Sequence, residues 1–472
     1  MHQQTMRRIT TAAGAITLAL ATGAAQAADL ATLLKDKGVI TAEEYRQVTG
    51  AAPARSLPEL LRAKGILTDA DLTALGPQQH QTPQTTQAAT APPPTTTGQA
   101  SARYLPGKGF TFTSADRAFR MSVGGRLQAR YSLTDQQDTA KSPNVSKWEL
   151  KRMKFWLSGY AYTKELTYLV QTDLTQGGSS KLLEHAYLNY RPIPELQLLA
   201  GQTKVPFGRQ WLNSSGSQEF VDRSTASDMF RPGFDTGAKL HGDLFKSLLT
   251  YEIGGYGGGG QSTTRSSNKN AMAARITVNP FGPMPYSEGD LAQSSSPKLS
   301  LGADYYMNTL AATYNATSKA DTLEANNVYL AGSSGWLGKG MGLFTTNENI
   351  DVKSFSVDTA FKWQGFSLQG EYLAGEADGR SSGKKLRAAG WYLQSGYFIL
   401  PRTVELALRY SYVDPNRDQS GDLQSDTQGA ISWYLNRHNL KLQADVTNSH
   451  IQHGSKPSTD DLLYRLQAQV LF

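Results

Sequence analysis

The stretch Tyr464-Arg465-Leu466-Gln467-Ala468-Gln469-Val470-Leu471-Phe472 carries an apolar side chain at every second position. Successive side chains of a strand point to opposite faces, so Tyr464, Leu466, Ala468, Val470 and Phe472 share one face. Arg465, Gln467, Gln469 and Leu471 share the other, which is mostly polar. One such strand fits any half-buried sheet. The fold is decided by how often the pattern returns upstream.

From Phe110 onward the alternation persists. Met121, Val123, Leu127, Ala129, Tyr131 and Leu133 face away from Arg120, Ser122, Arg126, Gln128 and Arg130. Met153, Phe155, Leu157 and Ala161 oppose Arg152, Lys154, Ser158 and Tyr160. Two-faced stretches follow at 166–173, 183–190, 196–203, 237–243, 248–255, 271–279, 299–306, 352–363, 366–374, 388–399, 403–413, 427–435, 440–447 and 462–472. The total is about sixteen, an even number, as in bacterial single-chain barrels. The spacing therefore predicts an all-β chain closed as a transmembrane antiparallel β-barrel, apolar outside and polar within. A barrel of that size leaves an aqueous lumen, whereas about eight strands would fill with side chains. Outward aromatics near strand ends (Tyr131, Tyr190, Tyr305, Tyr410, Trp433, Tyr464, Phe472) suit the two lipid–water interfaces.

Composition agrees. In 472 residues the hydrophobic share is 39%, with 44 glycines and 22 tyrosines, which favours strands and turns over packed helices. Beyond the leader no apolar run is long enough for a spanning helix. The leader, residues 1–27, has Arg7 and Arg8 in its charged region, an apolar run from Ile9 to Ala21, and an A-x-A site at Ala25-Gln26-Ala27. Its removal would take the formal charge from +7 to +5, because Arg7 and Arg8 are its only charged residues. With no cysteine, disulfide and thiol chemistry are excluded.

Residues 28–76 hold an internal repeat: Leu33-Leu34-Lys35-Asp36-Lys37-Gly38-Val39-Ile40-Thr41 resembles Leu60-Leu61-Arg62-Ala63-Lys64-Gly65-Ile66-Leu67-Thr68. Each glycine is expected to end a helix in the left-handed conformation. Each threonine is expected to cap the next, with Glu44 or Asp71 completing the capping box. We expect two small helical hairpins on the periplasmic side, in contact with the cell wall or with a sister subunit, or else ornamental. Residues 77–104 form a linker whose Pro/Gln/Thr-rich part, Pro77 to Ala100, cannot support a core. At ~3.1 Å per residue that part could reach on the order of 70 Å. Residues 105–472 are the expected barrel domain.

Two long irregular stretches, about Lys204–Asp235 and Asn308–Ile350, interrupt the strands. Loops of this length are usually functional, and in a wide barrel they can fold inward and narrow it. The first opens with Gly201-Gln202-Thr203-Lys204-Val205-Pro206-Phe207-Gly208, continues through Glu219-Phe220-Val221-Asp222-Arg223-Ser224 and Phe230-Arg231-Pro232-Gly233-Phe234-Asp235-Thr236-Gly237, and ends in Leu240-His241-Gly242. This succession resembles the phosphate-selective porin O and P family. The strands Gly390-Trp391-Tyr392-Leu393-Gln394-Ser395-Gly396-Tyr397 and Ile431-Ser432-Trp433-Tyr434-Leu435-Asn436 are similar to it as well. The resemblance covers about Phe110 to Phe472. It implies a sixteen-stranded trimeric outer-membrane channel of a Gram-negative bacterium, constricted by its third loop, in which arginines and lysines guide anions to a phosphate site. The Gln/Thr/Pro spacer is not part of that pattern.

Strand parity assigns the lumen charges. Inward cations are Arg120, Arg126, Arg130, Arg152, Lys154, Arg275, Lys362, Arg409, Lys441 and Arg465, and inward acids are Asp173, Asp304, Asp358, Glu371, Glu405 and Asp445. Closure would set Arg126, Arg130, Arg152, Lys154, Lys441 and Arg465 on one wall, opposed only by Asp445. Such a wall concentrates anions. Its bland counterpart is a lumen whose cations only order water and hold the constricting loop. On the loop, Lys204, Arg209, Arg223 and Arg231 are candidate ligand-binding residues. Their alternative role is to pair with Glu219, Asp222, Asp228 or Asp235 and fix the loop.

No enzyme motif appears. The seven histidines lack metal spacing, and the Gly255–Gly260 run lacks the lysine and hydroxyl of a phosphate-binding loop. We expect no catalytic residue, cofactor, metal or nucleic-acid partner. The sequence predicts an anion-selective porin that passes phosphate or oligophosphate by diffusion, with inorganic phosphate, other small anions, outer-membrane lipid and lipopolysaccharide as partners. Alternatives are a weakly selective porin of the same fold and a structural barrel tethered to the wall through the hairpins.

Overall fold

The computed structural model describes residues 31–32, 34–49, 57–66, 99–136, 144–175, 181–265, 268–315, 320–323 and 327–472. The leader, Leu33, Thr68, Asp71 and most of the spacer lie outside these residues. The chain forms two compact units, Met1–Pro93 and Pro94–Phe472.

In the first unit Gly38 and Gly65 both adopt φ 69°, the left-handed backbone that glycine tolerates without a Cβ clash. The amides of Val39 and Ile66 reach back to the carbonyls of Leu34 and Leu61, each at 2.9 Å. Helix α1 (Ala42–Thr49) starts with a reciprocal cap: the Thr41 amide donates to Glu44 at 2.7 Å, and the Glu44 amide donates to the Thr41 hydroxyl at 3.2 Å. Helix α2 (Leu57–Ala63) packs Leu57, Leu60 and Leu61 with Ala31, Leu34 and Ile40 in a small core. Lys64 ties the two repeats together through Glu44 at 2.8 Å.

Among the described residues, the second unit forms a single sheet of nineteen strands. A hairpin of β1 (Ser101–Leu105) and β2 (Gly109–Thr113) leads into β3 (Arg120–Gln136), β4 (Val145–Tyr160), β5 (Leu166–Asp173), β6 (Leu183–Ile193) and β7 (Leu196–Lys204). Next come β8 (Phe234–Leu244), β9 (Leu249–Tyr256), β10 (Ala271–Val278), β11 (Lys298–Asn315) and the short β12 (Ala320–Leu323). The series ends with β13 (Asn349–Trp363), β14 (Phe366–Gly379), β15 (Lys385–Leu400), β16 (Val404–Asp414), β17 (Gln424–Asn436), β18 (Leu440–His453) and β19 (Lys456–Leu471). Strands β1, β2 and β12 are branches, so sixteen strands close the barrel. The closing pair is β19 on β3, with Leu466 opposite Tyr131 and Val470 opposite Leu127.

Neighbours in sequence part at the wall. Leu408 is 68% exposed on the outside while Arg409 is 2% exposed within, and Leu466 at 57% precedes Gln467 at 3%. An apolar belt of this extent is unfavourable in water at about 25 cal/mol per Å² and is matched by lipid hydrocarbon. The inward acids and cations expected from parity point into the lumen, Arg275 bridging Asp304 at 2.6 Å and Asp358 at 2.7 Å.

The lumen is far from empty. Residues 205–233, joining β7 to β8, fold inside the barrel, and Phe207, Phe220, Ala226 and Phe230 are all buried. The second long stretch departs from expectation at its start, because β11 continues to Asn315 and β12 pairs back on it. From Val328 onward it does turn inward, and Leu330, Trp336, Leu337 and Phe344 pack with Phe207, Met229 and Phe230. A third intrusion was not expected. The connection 279–297 lies on the opposite rim, among short turns, and sends Tyr286 and Glu288 up into the barrel to meet the inward loop. It begins in a turn at Asn279-Pro280-Phe281-Gly282, where the Gly282 amide donates to the Asn279 carbonyl at 3.0 Å.

Candidate functional site

The inward loop is shaped by the wall. At its start the amides of Gly208 and Arg209 donate to the wall carboxylates of Asp304 and Glu371, both at 2.8 Å. They open a single turn, α3 (Arg209–Leu212). Its carbonyls are gathered by Lys204, whose ammonium donates to Trp211, Leu212 and Asn213 at 2.6, 3.2 and 3.0 Å. A second turn, α4 (Thr225–Phe230), is capped by Ser224, whose hydroxyl accepts from the Ser227 amide at 3.1 Å. Between the two turns, the Val221 amide donates to Asp445 of β18 at 3.2 Å.

Held this way, the loop leaves space mainly along β3 to β7. The space there is a cavity of about 1110 Å³, lined by ten lysines and arginines against four aspartates and glutamates. It runs from Arg120, Arg191 and His438 near the turn rim to Arg231 and Asp228 on the loop. A smaller cavity of about 420 Å³ lies toward the loop rim, with Lys339, Asp426 and Arg465 in its wall. Asp222, Arg223 and Asp228 line both, so they form the neck between them.

Of the ten residues singled out from the sequence, six line the larger cavity. Arg126 donates to the Ser214 and Ser215 hydroxyls at 3.0 and 2.7 Å. Arg152 reaches Gln128 at 3.0 Å and Asp222 at 3.2 Å. Lys154 pairs with Glu184 at 2.5 Å. Lys204 and Arg223 direct their donors to loop carbonyls, Arg223 to Gln210 and Asn213 at 3.0 Å each. Arg231 pairs with Asp228 at 3.1 Å. Lys204, Arg223 and Arg231 all stand within 4.9 Å of the Trp211 ring centroid, a cation–aromatic cluster.

The other four are elsewhere. Arg130 is buried behind the neck, forked onto Asp222 at 2.6 and 3.1 Å. Arg465 lines the smaller cavity and grips Asp445 at 2.6 and 2.9 Å. Lys441 is fully buried and donates to the Gln218 carbonyl at 2.8 Å. Arg209 lies across the lumen against β11, donating to Ser300 at 3.1 Å with Tyr286 stacked 5.2 Å away.

The cationic wall exists as a neighbourhood of β18, β19, β3 and β4, but Asp445 is not its only opponent. Asp222 from the loop and Glu184 from β6 also neutralise it, because parity along single strands cannot see a loop arriving from above. Burial would push the Asp222 carboxyl up; the Arg130 and Arg152 guanidinium groups outweigh it and hold it well below the ordinary aspartate value of 3.8. Of the other loop acids expected to pair with loop cations, Glu219 instead accepts from Gln394 at 2.7 Å and Asp235 from the Gly258 amide at 2.8 Å.

Lys151 also lines the cavity and was not anticipated. A bulge opposite Gln128 and Ala129 inserts it as an extra residue and reverses the parity of the upper half of β4, so Trp148 and Leu150 face outward. The serines of Asn213-Ser214-Ser215-Gly216-Ser217 were missed too. Their only sequence signal is a small, polar loop tip.

Residues 121–472 match the phosphate-selective porin O and P family. Porin O of Pseudomonas aeruginosa is 23% identical over 348 residues, covering 71% of this chain and 76% of that protein. Two solved structures share the fold. The outer-membrane channel DcaP of Acinetobacter baumannii has a TM-score of 0.51 at 13% identity, over 75% of this chain and 98% of its own. An anion-selective porin from Comamonas acidovorans has a TM-score of 0.52 at 9% identity, over 75% and 99%.

Proposed function

Since this chain belongs to the phosphate-selective porin O and P family, we propose that its outer-membrane barrel conducts small anions, phosphate among them, by diffusion past the inward loop. The single observation that carries this reading is the ten-to-four excess of cations over acids in the larger cavity. Low-dielectric walls focus that excess and raise the local anion concentration. Arg126, Arg152, Lys154 and Arg231 are the ligand-facing candidates, while Lys204 and Arg223 add field rather than free donors. Trimeric assembly, which the family implies, and a periplasmic N-terminal unit belong to the same proposal.

A weakly selective pore of the same fold is favoured by one observation: Asp222 and Asp228 stand in the neck and temper its charge. Adding phosphate to a single channel conducting chloride separates the two. The phosphate reading predicts a concentration-dependent fall in chloride current, and an undiminished current would leave only the general pore.

A further inference from the structure

At the neck, three arginines from three neighbouring strands, β19, β3 and β4, converge on one carboxylate from the loop, that of Asp222. Arg130 forks both its terminal nitrogens onto Asp222, Arg152 adds a contact at 3.2 Å, and Arg465 adds one at 3.4 Å. Arg409 fixes the same residue from a third direction, donating to its carbonyl at 3.0 Å. The Asp222 side chain keeps 19% of its surface open, and it faces both cavities. The guanidinium groups are themselves oriented by fixed partners, Arg130 by Gln467 at 2.8 Å and Arg465 by Asp445 at 2.6 Å.

A fork of paired N–H donors closing on two oxygens is the geometry by which arginine recognises carboxylate and phosphate. Here the oxygens belong to the protein. We propose that Arg130, Arg152 and Arg465 form an oxyanion site whose resident ligand is the carboxylate of Asp222, and that Asp222 thereby sets how tightly the channel holds a passing anion. The inference rests on the anion-channel reading and names the group that tunes it. Because the resident carboxylate is tethered, its effective concentration is high, and a free oxyanion meets a competitor that never diffuses away. Conduction needs binding strong enough to admit an anion and weak enough to release it. A tethered competitor supplies the second half. Both phosphate and carboxylate solutes present the required pair of oxygens.

The test is Asp222→Asn in the full-length channel in a planar bilayer, with chloride as carrier and phosphate or acetate added separately. The amide keeps the shape and removes the charge, so the freed donors should hold an external oxyanion. We expect half-block of chloride current at a roughly tenfold lower phosphate concentration than in the wild type, as for one regained charge-assisted hydrogen bond. Asp222→Glu should keep wild-type block. A matching gain for acetate assigns the site to oxyanions in general, and a gain for phosphate alone assigns it to tetrahedral ones; either supports the proposal. Unchanged block by both overturns it. So does a rise in open-channel conductance with falling selectivity, since Asp222 would then serve only to hold the loop. A wild type selective for cations would instead sink the anion-channel reading itself.

Discussion

The Lys204 ammonium donates to the Trp211 carbonyl at 2.6 Å while standing 4.7 Å from the centroid of the same residue's indole ring. The last residue of β7 thus closes the first turn of the loop that follows it. All three ammonium protons are engaged, because Leu212 and Asn213 accept the other two. Lys204→Met should therefore loosen the loop rather than abolish a binding site. Each lost charge-assisted bond is worth about 1.5–3 kcal/mol. Single-channel records should show higher conductance and additional levels; one unchanged level would contradict the pinning role.

Arg126 and Arg152 face the larger cavity from adjacent strands. Replacing both with glutamate should move the ion preference toward cations while the barrel still folds. Permeability ratios and the heat-sensitive gel mobility of folded barrels measure the two separately. Unaltered selectivity in a folded double variant would remove these residues from the conduction path.

Gly216 supports the same wall. A Cβ there would meet the Arg126 guanidinium at 2.2 Å. Gly216→Ala should push that side chain off Ser214 and Ser215 and lower anion preference less than the double substitution does. Selectivity equal to wild type would show that the contact is dispensable.

The Asp222 carboxyl has a depressed pKa, so the stability its ion pairs give the loop is present above the ordinary aspartate value of 3.8 and is lost only as pH falls through a still lower value. The contrast in chloride-over-potassium selectivity between wild type and Asp222→Asn should therefore stay constant from about pH 8 to about pH 5, vanishing only in stronger acid. A contrast that fades near neutrality would contradict the ion-pair geometry.

Glu288, on the long turn, accepts from the Gln210 amide group and from the Glu219 main-chain N–H, both at 2.9 Å. Glu288→Ala would leave two buried donors unpaired, at about 1–3 kcal/mol each. The seam between the turn and the loop should open, seen as faster amide exchange at Glu219. Exchange as slow as in the wild type would show that the seam does not depend on this side chain.

The barrel was legible because its period is two and lipid enforces it: Leu408 and Arg409 cannot exchange faces without exposing charge to hydrocarbon. The same parity put Arg126, Arg130, Arg275, Asp304 and Asp358 inside, and chain order brought β19 beside β3. What parity could not carry was depth and company. Lys151 escaped because one inserted residue resets the alternation. Arg209 was grouped with the loop cations, yet the turn that bears it starts on Asp304 and Glu371, across the lumen. Asp222 was expected among loop partners, and only three-dimensional convergence hands it to Arg130, Arg152 and Arg465. The entry of residues 279–297 into the barrel has no periodic signature, since it depends on buried polar pairings that no local pattern announces.

The most direct measurement is the zero-current potential of the wild-type channel in a planar bilayer separating two KCl concentrations. An arginine- and lysine-lined passage predicts a potential whose sign reports chloride crossing faster than potassium. A potential of the opposite sign would contradict the account.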